Sequence, residues 1–313
     1  MDKEDLRKTL SATQTKFELR YRLRTHPSLT LDIPPFQTSG VDCLINLIRH
    51  TNAILDKRSS TQREEQNPLL AYAWQAFFPH EVDEESTNHR IAAKKAVLEH
   101  LKDRISEALT FKDCCNSGLI NKTLWSSDEW LLYECNRSGT SPVEARRRGG
   151  VASLIEYDCR LSPHLTLQDA VDRYCTLQQK QIRLILRQPK FVRILYCSHA
   201  DCPRPFSNLL TLSLPLPDGV TTIDDQVTMV FSLISIVRMR DKIQERDYMR
   251  PYDDGGVPLS QIETTTQTPP TRSVSQEGGH SYLLVFVEGP GGEDKFNEFL
   301  SILPDTSQVK TEC

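Results

Sequence analysis

Apolar residues recur three and four apart through the first hundred positions of the chain, then gather after about residue 150 into short β-branched runs. Leu6, Leu10, Phe17, Leu19 and Leu23, set among charges, predict an amphipathic helix over residues 3–23. Thr25-His26-Pro27 ends it, and Pro34-Pro35 forces an extended approach to a turn at Gly40. From about Asp42 to Leu55, Cys43, Leu44, Leu47, Ile48 and Leu55 form one broad face, which Ile45 and Ile54 widen until most of the helix is expected to be buried. Pro68 opens a second helix, and Ile91, Val97, Leu98, Leu101, Ile105 and Leu109 predict a long one over 88–109.

Residues 111–150 are mixed, with Trp125, Trp130 and Tyr133 followed by a Gly/Ser/Pro/Arg stretch that reads as a solvated loop ending Arg146-Arg147-Arg148-Gly149-Gly150. Val151–Tyr157 is a strand candidate, and Thr166-Leu167-Gln168-Asp169 opens a capped helix running to about Leu186. Phe191–Tyr196, Leu209–Leu216, Met229–Val237 and Ser281–Val287 read as strands. Between the last two, Gly255–Gly279 is too polar and Thr/Pro-rich to pack a core and is expected to be a disordered insert. Helices first and then a largely antiparallel sheet make an α+β class.

The chain has 313 residues and a formal net charge of -4, which gives no whole-chain attraction to nucleic acid or to an anionic membrane. No apolar run approaches the roughly 20 residues of a membrane span, and the first residues lack a basic-then-apolar order. The nine cysteines are odd in number and irregularly spaced, so reduced thiols in the cytoplasm, the nucleus or both are expected. Cys197 and Cys202 have the nearest metal-like spacing, but zinc wants four ligands and no CxxC pair is present, so a loop with two free thiols is the reading and neither metal nor cofactor is expected.

Cys43 carries the candidate chemistry. A thiol in the first turn of a helix is easier to ionise, because unpaired amides and the helix dipole favour an anion there. The same residue also suits an ordinary core position.

The order of elements resembles the ubiquitin-specific proteases, papain-like thiol hydrolases whose cysteine box reads roughly G-N-T-C-Y-x-N-S. Gly40-Val41-Asp42-Cys43-Leu44-Ile45-Asn46 keeps the glycine, the cysteine and the asparagine in register, with Val41-Asp42 in place of Asn-Thr. In that family the region helps supply the oxyanion hole, so the change weakens transition-state stabilisation. Leu165–Tyr174, Phe191–Tyr196, Leu210–Pro215, Phe231–Val237 and Tyr282–Phe286 are similar to successive segments of the family, and the match spans about residues 34–290. The resemblance implies a papain-like cysteine peptidase fold over 34–300, helical over about 34–115 and mainly sheet over about 150–290. Residues 1–30 would be a helical extension and 301–313 a tail.

A thiol protease needs an imidazole to take the thiol proton and a third group to hold the ring. The family's histidine follows its "A-V-V" strand; counting on from Val237 puts Asp247 at that place, and a carboxylate of pKa about 3.9 is a poor base for a thiol of about 8.5. A second register uses Gly278-Gly279-His280-Ser281-Tyr282, with Asp294 as the orienting carboxylate, but it leaves the sheet one strand short. The resemblance therefore implies a degenerate member that binds ubiquitin or a ubiquitin-like protein. The alternatives are an active deubiquitinase using Cys43, His280 and Asp294, or an unrelated α+β interaction protein.

Overall fold

The computed structural model describes residues 5–19, 38–55, 61–75, 84–102, 109–135, 139–180, 184–202, 204, 206–215, 228–242, 244–253, 259 and 279–289. The expected N-terminal helix is two short ones, α1 (Leu6–Thr9) and α2 (Ala12–Phe17). Ser11 splits it: its hydroxyl accepts from the Gln14 N–H while the Gln14 side chain takes the Ser11 N–H at 3.1 Å, a capping box that starts a new helix. Next come α3 (Ser39–Ile54), α4 (Thr61–Gln66), α5 (Pro68–Tyr72) and α6 (Glu84–Lys102). The long helix thus ends before Leu109, and Ile105 lies outside the described residues. Two short helices follow, α7 (Phe111–Asn116) and α8 (Gly118–Thr123), capped by the hydroxyls of Thr110 and Ser117.

After β1 (Tyr133–Cys135), the stretch expected to be an arginine loop is a helix, α9 (Pro142–Ala152). Ser141 caps it, proline occupies its first turn, and Glu144 pairs with Arg147 and Arg148 one turn on. Gly149 and Gly150 are buried rather than loop-forming: a Cβ on Gly149 would lie 2.4 Å from the Tyr133 carbonyl oxygen, and one on Gly150 would lie 2.8 Å from that of Trp125. Glycine is here what lets a helix approach another backbone.

The next elements are β2 (Leu154–Asp158), α10 (Leu167–Lys180), β3 (Leu184–Leu186), β4 (Phe191–Cys197), β5 (Thr211–Pro215), β6 (Thr228–Arg238), β7 (Tyr248–Pro251) and β8 (Ser281–Glu288). β1 and β3 form a separate antiparallel pair. The main sheet runs β2-β4-β8-β6-β5 and is mixed, not wholly antiparallel, because β2 lies parallel to β4. Its other pairings are antiparallel. β8 covers one edge of β6 over Phe231–Arg238, so the other edge is shared by β5 along Thr228–Ser232 and β7 along Ser235–Arg238. β7, too short and polar to stand out in the sequence, was not expected. The expected insert 255–279 lies, but for Leu259 and Gly279, outside the described residues.

Both faces of this sheet are covered, which is why β8 reads as an unbroken apolar run. Leu283, Val285 and Val287 join the core built on α3 and its neighbouring helices. Tyr282, Leu284 and Phe286 join a second core with Leu167, Ala170, Val171 and Cys175 of α10. Arg193 of β4 is buried, and among the described residues no carboxylate pairs with it: its guanidinium lies 4.0 Å from the Trp125 ring centre and donates to the Gly150 carbonyl at 2.6 Å, and burial pulls its pKa down to about 9.

Gly40 lies inside α3 rather than in a turn before it, and it is where α3 meets the backbone entering α7. A Cβ there would sit 2.2 Å from the Phe111 nitrogen and 2.3 Å from the Leu109 oxygen. Gly40→Ala is expected to cost at least the roughly 1–3 kcal/mol typical of overpacking, because the obstacle is backbone. Urea unfolding checks this as a lower midpoint at unchanged slope. Gly118→Ala, where the added methyl meets open space, is the control expected to be neutral or slightly stabilising.

Candidate functional site

α3 begins at Ser39, so Cys43 is its fifth residue and sits in the second turn rather than the first. The Asp42 N–H already donates to the Thr38 carbonyl at 2.9 Å, and the end of the helix that could activate an anion lies upstream of the thiol. Cys43 is buried, with 5% exposure. Burial pushes its thiol well above the ordinary range, and the charges of Asp247 and Asp42 add to the rise. Cys114 and Cys115 of α7 are also buried, and their thiols are likewise pushed up by burial. The surroundings of Cys43 therefore oppose a thiolate.

Asp247 immediately precedes β7 and reaches the start of α3. Its carboxylate accepts from the Arg240 N–H at 3.0 Å, the Phe111 N–H at 3.2 Å and the Ser39 hydroxyl at 3.4 Å, while its own N–H donates to Ser39 Oγ at 3.1 Å. The Arg240 guanidinium stands 3.6 Å away, and both side chains are almost wholly buried. Burial nevertheless raises the Asp247 pKa, against the opposing pull of these donors and of Arg240.

Asp42 forms a second buried group. Lys94 Nζ of α6 lies 2.8 Å from Asp42 Oδ1 and donates to Thr38 Oγ1 at 2.9 Å, and Thr38 donates to Asp42 Oδ2 at 2.9 Å. Asp42 also lies in the first turn of α3, where the helix dipole favours its charge. Lys94 went unnoticed in the sequence as a core residue, although it stands at i−3, i−4 and i−7 from Val97, Leu98 and Leu101, on the apolar stripe of α6.

His280 lies just before β8, and its Nδ1 is 2.7 Å from Asp241 Oδ2 in the β6–β7 loop. Its carboxylate partner is thus Asp241; Asp294 lies outside the described residues. Among the described residues, none hydrogen-bonds the Cys43 sulfur, and the charges acting most on it are carboxylates and thiols, not an imidazole. The structure brings Cys43 together with Asp247 and Asp42, and sets His280 with Asp241 and Glu245.

No family model, curated protein or solved structure matches this chain. Its chemistry must be read from its own residues. Burial and the charges of Asp247 and Asp42, which raise the Cys43 pKa, work against forming the thiolate that nucleophilic attack requires. Among the described residues, no helix is long and apolar enough to cross a membrane.

Two consequences can be measured. Asp42→Leu or Lys94→Met alone should each destabilise by about 3–5 kcal/mol, because one buried charge loses its partner, whereas the double replacement Asp42→Leu with Lys94→Met should cost less than the sum. Chemical denaturation of the four proteins tests this coupling.

Asp247 has a raised folded-state pKa, so its contribution to stability is full below its ordinary value of 3.8 and is lost as pH climbs through the raised value. The stability of the native chain minus that of Asp247→Asn should accordingly fall across that interval. Urea midpoints at successive pH values check the sign.

Proposed function

We propose that the chain is a degenerate ubiquitin-protease-like domain that binds ubiquitin or a ubiquitin-like protein without cleaving it. The observation that carries this reading is the carboxylate of Asp247, the leading charge on the buried Cys43 sulfur where a thiol hydrolase needs an imidazole.

The strand order supports the same assignment. β6 takes β7 and β8 as separate partners, so the strand after Asp247 and the closing strand after His280 are two strands, not one. The register that places Asp247 at the histidine position therefore has both strands the resemblance requires, whereas the His280 register makes β8 serve as both. The pairing of His280 with Asp241 also leaves the imidazole engaged with a carboxylate of the β6–β7 loop rather than with the thiol. Val41-Asp42 supports the loss of activity a second way, since Asp42 is committed to Lys94 and a negative charge there would repel an oxyanion.

Ubiquitin carrying a C-terminal electrophile tests the reading. No adduct should form at Cys43 over hours at neutral pH, while unmodified ubiquitin should bind saturably by calorimetry or by chemical-shift perturbation. An adduct that disappears in Cys43→Ala would make the chain an active thiol hydrolase. Absence of both adduct and binding would remove ubiquitin as the partner.

A further inference from the structure

We infer that Asp241, Glu245 and His280 form a binding site for a divalent transition-metal ion such as zinc. The residues come from two places, the β6–β7 loop and the residue before β8, and one ligand atom from each lies within 4.8 Å of the others. Two carboxylates and one imidazole are a donor set that suits zinc, cobalt or manganese and leaves a fourth position for water.

The backbone on the histidine side is anchored for the purpose. The His280 carbonyl accepts from the Ser198 N–H at 3.0 Å and from the Ser198 hydroxyl at 3.1 Å. On either side, the Gly279 N–H donates to the Ser198 carbonyl at 3.2 Å, and the Met239 N–H donates to the Ser281 carbonyl at 2.9 Å. Gly279 has a φ of +93°, a left-handed conformation that glycine adopts without strain, and it turns the chain into β8. The imidazole also lies edge-on to the Tyr282 ring, 6.4 Å between centres. On the loop side, the Asp241 N–H donates to Glu245 Oε2 at 3.3 Å and the Glu245 N–H to the Lys242 carbonyl at 3.0 Å, so the two carboxylates are held on one turn.

The present spacing fits a proton between His280 and Asp241, whose atoms are 2.7 Å apart. Metal bonds of about 2.0–2.2 Å in a tetrahedron place neighbouring ligand atoms about 3.3 Å apart. Binding through Nδ1 therefore places the imidazole proton on Nε2, opens the His280–Asp241 contact by roughly half an ångström and draws Glu245 in. Side-chain rotation is enough, because Asp241 is exposed and the backbone on both sides is already placed. The bound ion would tie the loop leading to Asp247 onto the start of β8. The site stands on its own residues and does not depend on the ubiquitin reading.

Cobalt(II) is the probe, since its visible absorption reports its ligands and thiolate ligation adds an intense charge-transfer band. The 313-residue chain, stripped with chelator, is titrated alongside His280→Ala and the loop variant Glu245→Gln. The expected result is one-to-one binding without a thiolate band, at least tenfold weaker in each variant, and zinc competing cobalt off. Thermal melting should rise with zinc in the native chain and not in Glu245→Gln. A thiolate band, equal affinity in the native chain and Glu245→Gln, or no binding by the folded native chain would each overturn the inference.

Discussion

A helix buried on every side must find a partner for each polar group it carries, and that constraint on α3 organises the rest of the molecule. Ser39, Asp42, Arg49 and His50 are all buried, and leaving any of them unpaired would cost on the order of 1–3 kcal/mol or more for the charges. Each is met by a different element. Ser39 meets Asp247 before β7, and Asp42 meets Lys94 on α6. Arg49 donates to the Gln75 carbonyl beyond α5, and His50 Nε2 donates to the Ile234 carbonyl in β6. The same Ile234 carbonyl accepts the Tyr252 N–H, and it lies at the irregularity in β6 between its β5 and β7 partners. The bulge that redirects the strand thus also supplies the acceptor that docks the helix.

This set of bonds accounts for the state of Cys43. The carboxylates that satisfy the helix end, Asp42 and Asp247, are also the charges that disfavour a thiolate. A catalytic cysteine needs the reverse arrangement, positive or neutral donors and an opening to solvent. Here the polar groups around α3 serve cohesion between the two halves, and the cost falls on the reactivity of the thiol. Gly40 belongs to the same junction, because the backbone of Leu109–Phe111 crosses where a side chain would be, and the Phe111 N–H there bonds Asp247.

Periodicity was a good guide wherever burial followed one face or ran unbroken. The central helix, the start of α10 and the strands at 191–197, 211–215, 228–238 and 281–288 were legible within a few residues, but the helix expected to run to about Leu186 ends at Lys180, and Leu184–Leu186 is the strand β3 paired with β1. It failed where the driving force was a contact rather than a pattern. Arg146-Arg147-Arg148-Gly149-Gly150 has the composition of a loop, yet Ser141 and Pro142 start a helix and the two glycines let it lie against Tyr133 and Trp125. β7 is four residues long and owes its place to the free half of one β6 edge. Lys94 sits on the apolar stripe of its helix, and its lysine identity hid a core position that only a buried aspartate makes tolerable.

By itself the sequence determined the α+β class and the buried cysteine helix, because these follow from hydrophobic period, and it left Asp247 and His280 as alternative partners for the thiol. Tertiary structure decided which groups meet. It placed Asp247 at the head of α3, gave His280 to Asp241, laid β2 parallel to β4 and surrounded the thiol with burial and charges that raise its pKa. Those outcomes depend on contacts between residues as much as 208 positions apart, and a one-dimensional pattern carries no record of which buried charge will find which donor.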